Sequence, residues 1–257
     1  MNQPKQRVDK LLVDRGLVST RTKAAAMIMA GQVFAGERRV EKAGELVRPD
    51  AELHLKGEEK YVSRGGFKLE AALEQFHVDV VGKVALDVGA STGGFTDCLL
   101  QRGAARVYAV DVGTHQLHEK LRADSRVISH EQVNARELTD AIVKEPVQIV
   151  VIDVSFISLK LVLPSALRFL APGGVLAALV KPQFEAGKGE VGKGGVVRDP
   201  IVRQRCIDGI VDFTQRECGL SVRGVIDSPI AGPAGNVEAL LVAEKRATAA
   251  PASNRPA

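Results

Sequence analysis

The sequence predicts an α/β protein: a Rossmann-like, mostly parallel, seven-stranded sheet preceded by a small α+β module. Three observations predict it. From residue 84 onward, short apolar runs alternate with amphipathic stretches; a glycine-rich segment joins the first such run to the first such stretch; and residues 1–30 have a different texture and a concentrated positive charge.

In the first sixty residues, Val8, Leu11 and Leu12 have helical spacing that breaks at Gly16. Ser19 is read as the N-cap of a helix through Ala30, with Gly31 as its C-terminal glycine. Gln32–Ala35, Arg39–Val40 and Glu52–Leu55 read as short strands punctuated by Gly36, Gly44 and Pro49. The alternation then runs through strand Val84–Val88, helix Gly94–Arg102, strand Arg106–Asp111, strand Val127–His130, helix Ala135–Val143, strand Val147–Asp153, helix Ser158–Leu170, strand Val175–Lys181 and helix Pro200–Glu217. Crossover connections make these strands parallel, with helices on both faces. Ser221–Ile226 and Glu238–Val242 are joined only by a loop, so they are expected to pair antiparallel at one edge. Domains are placed at 1–60 and 61–245, and Arg246–Ala257, rich in Ala, Pro and Ser, reads as a disordered tail.

Composition narrows the class. Of 257 residues, 45% are apolar and 26% charged, which excludes collagen, coiled coil and intrinsic disorder. The longest apolar runs, Val147–Val151 and Val175–Val180, fall far short of the roughly 18 residues of a membrane span, and no secretory signal is visible, so a cytoplasmic protein is expected. Cys98, Cys206 and Cys218 are widely spaced, with no metal-ligand pattern, and read as reduced structural thiols; no metal is expected. The net charge is +4, and residues 1–30 alone carry that excess: Lys5, Arg7, Lys10, Arg15, Arg21 and Lys23 against Asp9 and Asp14. An anionic partner or an ordinary solvated face would both produce it.

The segment Asp87-Val88-Gly89-Ala90-Ser91-Thr92-Gly93-Gly94-Phe95-Thr96 lies between the first strand and its helix, where open α/β sheets bind ligands. It is neither the G-x-G-x-x-G fingerprint nor a P-loop. It suits S-adenosylmethionine: Asp87, Gly89, Ala90, Ser91, Gly93, Gly94, Phe95 and Thr96 would hold the amino-acid tail and nucleoside, with Asp87 facing the ammonium. Asp111, about 20 residues on, stands where an acid reaches a ribose; a carboxylate closing a strand-end turn would look the same. Asn134 would lie near the adenine, or simply cap a helix.

At the strand ends, Asp153 and Lys181 follow apolar runs, where bare charges are costly unless they meet partners. A structural ion pair explains these two equally well. Lys68, in Ser63-Arg64-Gly65-Gly66-Phe67-Lys68, and Glu238, after Gly235-Asn236, extend the set. These four positions resemble the Lys-Asp-Lys-Glu tetrad of FtsJ-type ribose 2′-O-methyltransferases. The segments Ser63–Lys68, Asp87–Asp97, Asp153–Ser158, Lys181–Glu185, Lys193–Pro200 and Gly235–Glu238 are similar to those of the TlyA family.

The resemblance implies an S4-like RNA-binding domain joined to a seven-stranded S-adenosylmethionine-dependent methyltransferase domain, acting on ribosomal RNA of a ribosomal subunit at a ribose 2′-hydroxyl, with cytidine as the nucleoside. Lys68, Asp153, Lys181 and Glu238 then become catalytic, and Asp153 also faces the cofactor. Arg7, Lys10, Arg15, Arg21 and Lys23 fall in a segment similar to S4 modules and are expected to contact RNA phosphates. Lys188 and Lys193, in a glycine-rich stretch, are either further RNA contacts or part of a solvated loop.

A ribose hydroxyl is a very weak acid, so transfer needs its oxygen aligned and its proton received; Lys181 is expected to do both. Three rival readings follow. A membrane-damaging haemolysin, suggested by the family name, lacks any spanning or basic amphipathic segment. A non-catalytic RNA-binding factor would not need the tetrad, and a pseudouridine synthase would not need the glycine loop.

Overall fold

The computed structural model describes residues 4–36, 38–55, 60–232 and 234–247, and divides the chain into two compact units, residues 1–60 and 61–257. The tail expected at 246–257 lies outside the described residues from 248 onward.

The first unit contains β1 (Gln6–Arg7), α1 (Val8–Asp14), α2 (Arg21–Met29), β2 (Val33–Ala35), β3 (Arg38–Arg39), β4 (Leu46–Val47) and β5 (Leu53–Leu55). β1 pairs antiparallel with β4, and β2 lies between β3 and β5 in a second antiparallel sheet. Val8, Leu11 and Leu12 of α1 close on Ala24 and Ile28 of α2 and on Val33, which is what their helical spacing requires. The N-cap of α2 is Thr20 rather than Ser19: the Thr20 hydroxyl accepts from Lys23 N at 3.1 Å from an extended backbone. Gly31 ends the helix at φ +72°, the left-handed state that favours glycine.

The second unit opens with α3 (Gly65–Gln75) and continues through β6 (Val84–Val88), α4 (Gly94–Gln101), β7 (Arg106–Val110), α5 (Glu119–Arg122), β8 (Val127–His130), β9 (Val147–Ile152), α6 (Leu159–Leu167), β10 (Leu170–Val180), α7 (Pro182–Glu185), α8 (Pro200–Arg216), β11 (Leu220–Asp227) and β12 (Ala239–Lys245). The seven-stranded sheet runs β8-β7-β6-β9-β10-β12-β11. The first five are parallel, and β12 inserts antiparallel between β10 and β11. Alternate strand residues point to opposite faces. Leu86, Val150, Ile152 and Ala178 bury with Val162 and Leu163 of α6 and Ile207 and Ile210 of α8. Ala85, Ile149, Val151 and Ala177 bury with Leu69 and Leu73 of α3 and Cys98 and Leu99 of α4.

One predicted element is absent. Residues 135–143 form turns rather than a helix. The Asn134 carboxamide accepts from Arg136 N at 3.1 Å, the Thr139 carbonyl accepts from both Ile142 N and Val143 N, and Leu138 N donates to the Ser165 hydroxyl at 3.1 Å. The Asn134 and Ser165 side chains thus take the Arg136 and Leu138 donors, and the turn at 139–143 closes on the backbone. The expected helix at 158–170 ends at Leu167; Ser158 is its N-cap, and Leu170 already belongs to β10, whose register shifts between Leu170 and Val175.

Candidate functional site

The strand order reverses between β6 and β9, so the crevice lies beyond their carboxyl ends. Asp153 stands one residue past β9, Lys181 one residue past β10, and Glu238 one residue before β12. Lys68 comes from the first turn of α3. That helix is held in place by the segment before it: Asp97 of α4, 2% exposed, accepts from Val62 N at 2.9 Å. Gly94 permits the approach, since a Cβ there would lie 2.3 Å from the Ser63 hydroxyl.

All four residues line one cavity of about 300 Å³, and they form two lysine–carboxylate pairs. Lys68 Nζ donates to Glu238 Oε2 at 2.5 Å with both side chains buried. Lys181 Nζ lies 2.7 Å from Asp153 Oδ1 and donates to the Ser155 hydroxyl at 2.8 Å. The Lys181–Asp153 contact is an ion pair outside hydrogen-bond alignment, so buried Asp153 Oδ1 accepts no hydrogen bond. Behind Lys181, Glu185 of α7 accepts from the Ser158 hydroxyl at 2.6 Å and from Leu159 N at 2.8 Å, bracing α7 on the start of α6; burial raises its carboxyl above the usual range. Each carboxylate of the set thus has a lysine beside it, and the two amines face one cavity.

Gly89, Ala90, Ser91, Gly94 and Phe95 line the same cavity. Gly89 has φ +84°, and a Cβ there would meet the Asp153 carbonyl at 2.5 Å, so glycine lets the loop pass against the end of β9. Beside this cavity lies a second of about 570 Å³, sharing Gly89, Ser91, Asp153 and Ser155 as wall. Asp111 and Asn134 line it together with Val112, Val133 and Ile157. Asp111 Oδ2 accepts from Ser91 N at 2.8 Å and Oδ1 from Gly113 N at 2.7 Å, so the carboxylate fixes the loop at the cavity edge.

Asp87, Gly93 and Thr96 line neither cavity. Asp87 is fully buried beneath the loop, its Oδ2 accepting from the Thr96 hydroxyl at 2.6 Å and its Oδ1 left without a partner. Burial, reinforced by the charges of Asp153 and Asp111, pushes its carboxyl up to about 7, against the pull of the Thr96 hydrogen bonds.

Sequence reasoning missed Ser155, Ser63 and Arg64 as wall residues. The signal for Ser155 was present: it stands two residues after Asp153, on the same strand-end turn. Phe156 was also missed. It is 90% exposed at the rim of the second cavity, has φ +65°, and sits 5.2 Å from the Phe184 ring.

In the first unit, Arg7 and Arg21 both bind the carboxylate of Asp9. The Arg15 guanidinium donates to the carbonyls of Ala51, at 2.7 Å, and Pro49. Lys10 and Lys23 are exposed.

Comparison with known proteins gives the family. The profile of FtsJ-like methyltransferases matches residues 61–245, and that of the S4 domain residues 6–53. The chain is 47% identical over 237 residues to the 16S/23S rRNA (cytidine-2′-O)-methyltransferase TlyA of Mycobacterium tuberculosis, spanning 91% of this chain and 88% of that one. It is 40% identical over 235 residues to Hemolysin A of Brachyspira hyodysenteriae, spanning 91% and 98%. Among solved structures, that of a proposed hemolysin from Streptococcus thermophilus aligns with a TM-score of 0.72 at 47% identity, covering 95% of this chain and 89% of that chain.

Proposed function

The chain belongs to the TlyA family, an S4 domain followed by an FtsJ-like methyltransferase domain, and from that membership we propose that it methylates a ribose 2′-hydroxyl of ribosomal RNA with S-adenosylmethionine. The observation that carries this reading is the double pair Lys68–Glu238 and Lys181–Asp153 facing one cavity beside the glycine loop. The nucleoside proposed is cytidine, as in the name of the Mycobacterium relative.

The residues present fit the cofactor. Asp87, buried beneath the glycine loop with one oxygen unpartnered among the described residues, places negative charge below the position of an ammonium; Asp111 at the edge of the second cavity suits ribose hydroxyls; and the mixed wall containing Val112, Val133, Asn134 and Ile157 suits a purine. When bound, S-adenosylmethionine supplies an electrophilic methyl group on a positively charged sulfur. Lys181 Nζ, fixed by Asp153 and Ser155, hydrogen-bonds the 2′-hydroxyl and, as the neutral amine, takes its proton. Lys68, fixed by Glu238, adds positive charge beside the oxygen as it becomes nucleophilic. Both carboxylates act as positioning groups, holding the lysines in reach of one reacting atom.

The S4 domain is proposed to hold the RNA through phosphate contacts. The haemolysin reading rests on the names of the Brachyspira and Streptococcus proteins; among the described residues no helix is long and apolar enough to cross a membrane. The test is incubation with radiolabelled S-adenosylmethionine and ribosomal subunits lacking the modification, followed by nuclease digestion and nucleoside separation. Label in a 2′-O-methylcytidine is expected; cofactor binding without RNA labelling would overturn the proposal in favour of a binding role.

A further inference from the structure

Two arginines in the first unit converge on one buried carboxylate. Arg7 donates Nε to Asp9 Oδ1 at 3.1 Å and Nη2 to Oδ2 at 3.0 Å, a bidentate fork. Arg21 donates Nη2 to the same Oδ2 at 2.8 Å and Nε at 3.3 Å. The Asp9 side chain is 6% exposed, whereas those of Arg7 and Arg21 are 51% and 58% exposed. Asp9 is further fixed by Lys10 N, which donates to Oδ1 at 2.8 Å.

This arrangement is unusual for a surface ion pair. Exposed arginines lose side-chain entropy when held, and an exposed pair rarely offsets that loss. Here the carboxylate lies on the protein side, and its bonds to Arg7 and then Arg21 hold it well below the usual carboxylate range, so it stays charged. Each guanidinium commits its Nε and Nη2 to Asp9, so its Nη1 takes no part in that pair. Two cations share one anion, so the three groups carry one net positive charge, with both guanidiniums about half exposed to solvent. A phosphodiester oxygen is an anion that matches this charge, with the bidentate geometry that guanidinium favours.

We propose that Asp9 is a positioning residue for RNA binding, holding Arg7 and Arg21 as a preformed cradle for a backbone phosphate. The inference rests on the reading of this face as RNA-contacting and adds a consequence that charge counting would reverse. By net charge Asp9 opposes a polyanion, so its removal would tighten binding. By geometry its removal frees two long side chains, whose ordering must then be supplied by the RNA itself.

Binding of the full chain to unmodified, in vitro transcribed 23S ribosomal RNA, followed across a salt series, tests this. Arg7→Gln and Arg21→Gln are expected to weaken binding and to flatten the salt slope by about 0.7–0.9 for each phosphate no longer neutralised. Unchanged binding in both removes this face from RNA recognition, and the inference with it. Asp9→Asn is expected to weaken binding roughly three- to tenfold despite the gain in net positive charge. Equal or tighter binding overturns the positioning role while leaving the face's role in RNA recognition intact. Because Asp9 is buried, Arg7→Lys and Arg21→Lys give a second readout that leaves the carboxylate in place and keeps the charge but removes the fork. Binding several-fold weaker at an unchanged salt slope is expected, and wild-type affinity in both overturns the inference even where Asp9→Asn does not fold.

Discussion

The two units of this chain use ion pairs in opposite ways. In the second unit, Lys68, Glu238, Lys181 and Asp153 are matched one to one, the first pair buried and the second partly exposed, and each lysine is fixed by a carboxylate. In the first, Arg7 and Arg21 share Asp9 and stand half in solvent, so the set carries an uncompensated charge. A set with one carboxylate beside each lysine is suited to moving a proton, because the opposite charge stands within reach of the group that changes. An overcharged, exposed set is suited to holding a polyanion, because the missing counter-charge is the ligand. On the proposed reading, cation–carboxylate sets serve chemistry or capture according to stoichiometry and burial, and replacing single members should separate the two.

The largest effect is expected at Lys181. Lys181→Ala removes the group proposed to align the hydroxyl and take its proton, and should lower methyl transfer by about 10²–10⁴-fold, with cofactor affinity nearly unchanged. Single-turnover labelling beside equilibrium cofactor binding reads both quantities. Turnover near wild type would make the Lys181–Asp153 pair a structural feature and blur the contrast with the first unit.

Glu238 sharpens the same contrast through stability. Lys68 is held in a buried site by the Glu238 carboxylate at 2.5 Å. Glu238→Leu strands that ammonium and should cost roughly 3–5 kcal/mol, lowering the melting temperature by about 2–4 °C per kcal/mol. The double variant Lys68→Met/Glu238→Leu removes both charges, so thermal unfolding should return towards wild type while methylation stays abolished. A double variant as unstable as the single one would mean that packing, rather than charge matching, holds this corner together.

Much of this contrast was legible in the sequence, but unevenly. The sheet could be read because its buried strands are near-continuous apolar runs, and the glycine loop because Asp87 to Thr96 stands at a strand-to-helix turn. Lys68, Asp153, Lys181 and Glu238 could be named from their segments, whereas their pairing could not: Lys68 and Glu238 are 170 positions apart, and no periodicity carries that information. α3 escaped notice because it begins with Gly65-Gly66, a pair of poor helix formers; tertiary contacts with Asp97 and the start of α4 hold it. The false helix at 135–143 shows the reverse, an apolar pattern overridden by Asn134, Thr139 and Ser165 acting on the backbone. In the first unit the positive charge was plain, yet Asp9 counted only as an offset to it, because composition does not reveal which side of a carboxylate faces the solvent.

Asp87 supplies a third case, an acid with no cation at all, and the smallest of the expected effects. Burial pushes its carboxyl up to about 7, whereas in the unfolded chain it titrates near 3.9. A group raised in this way contributes stability that is fully present below about pH 4 and is lost as pH rises through about 7, because the folded state must then ionise a buried acid. Asp87→Asn keeps the shape and an oxygen for the Thr96 hydroxyl but cannot ionise. Its melting temperature should match that of the wild type in acid and exceed it above neutrality. The cofactor's ammonium would favour the ionised carboxylate, so wild-type affinity should rise with pH through about 7 while the variant binds weakly at every pH. A stability difference that does not change with pH would mean that Asp87 keeps one charge state throughout.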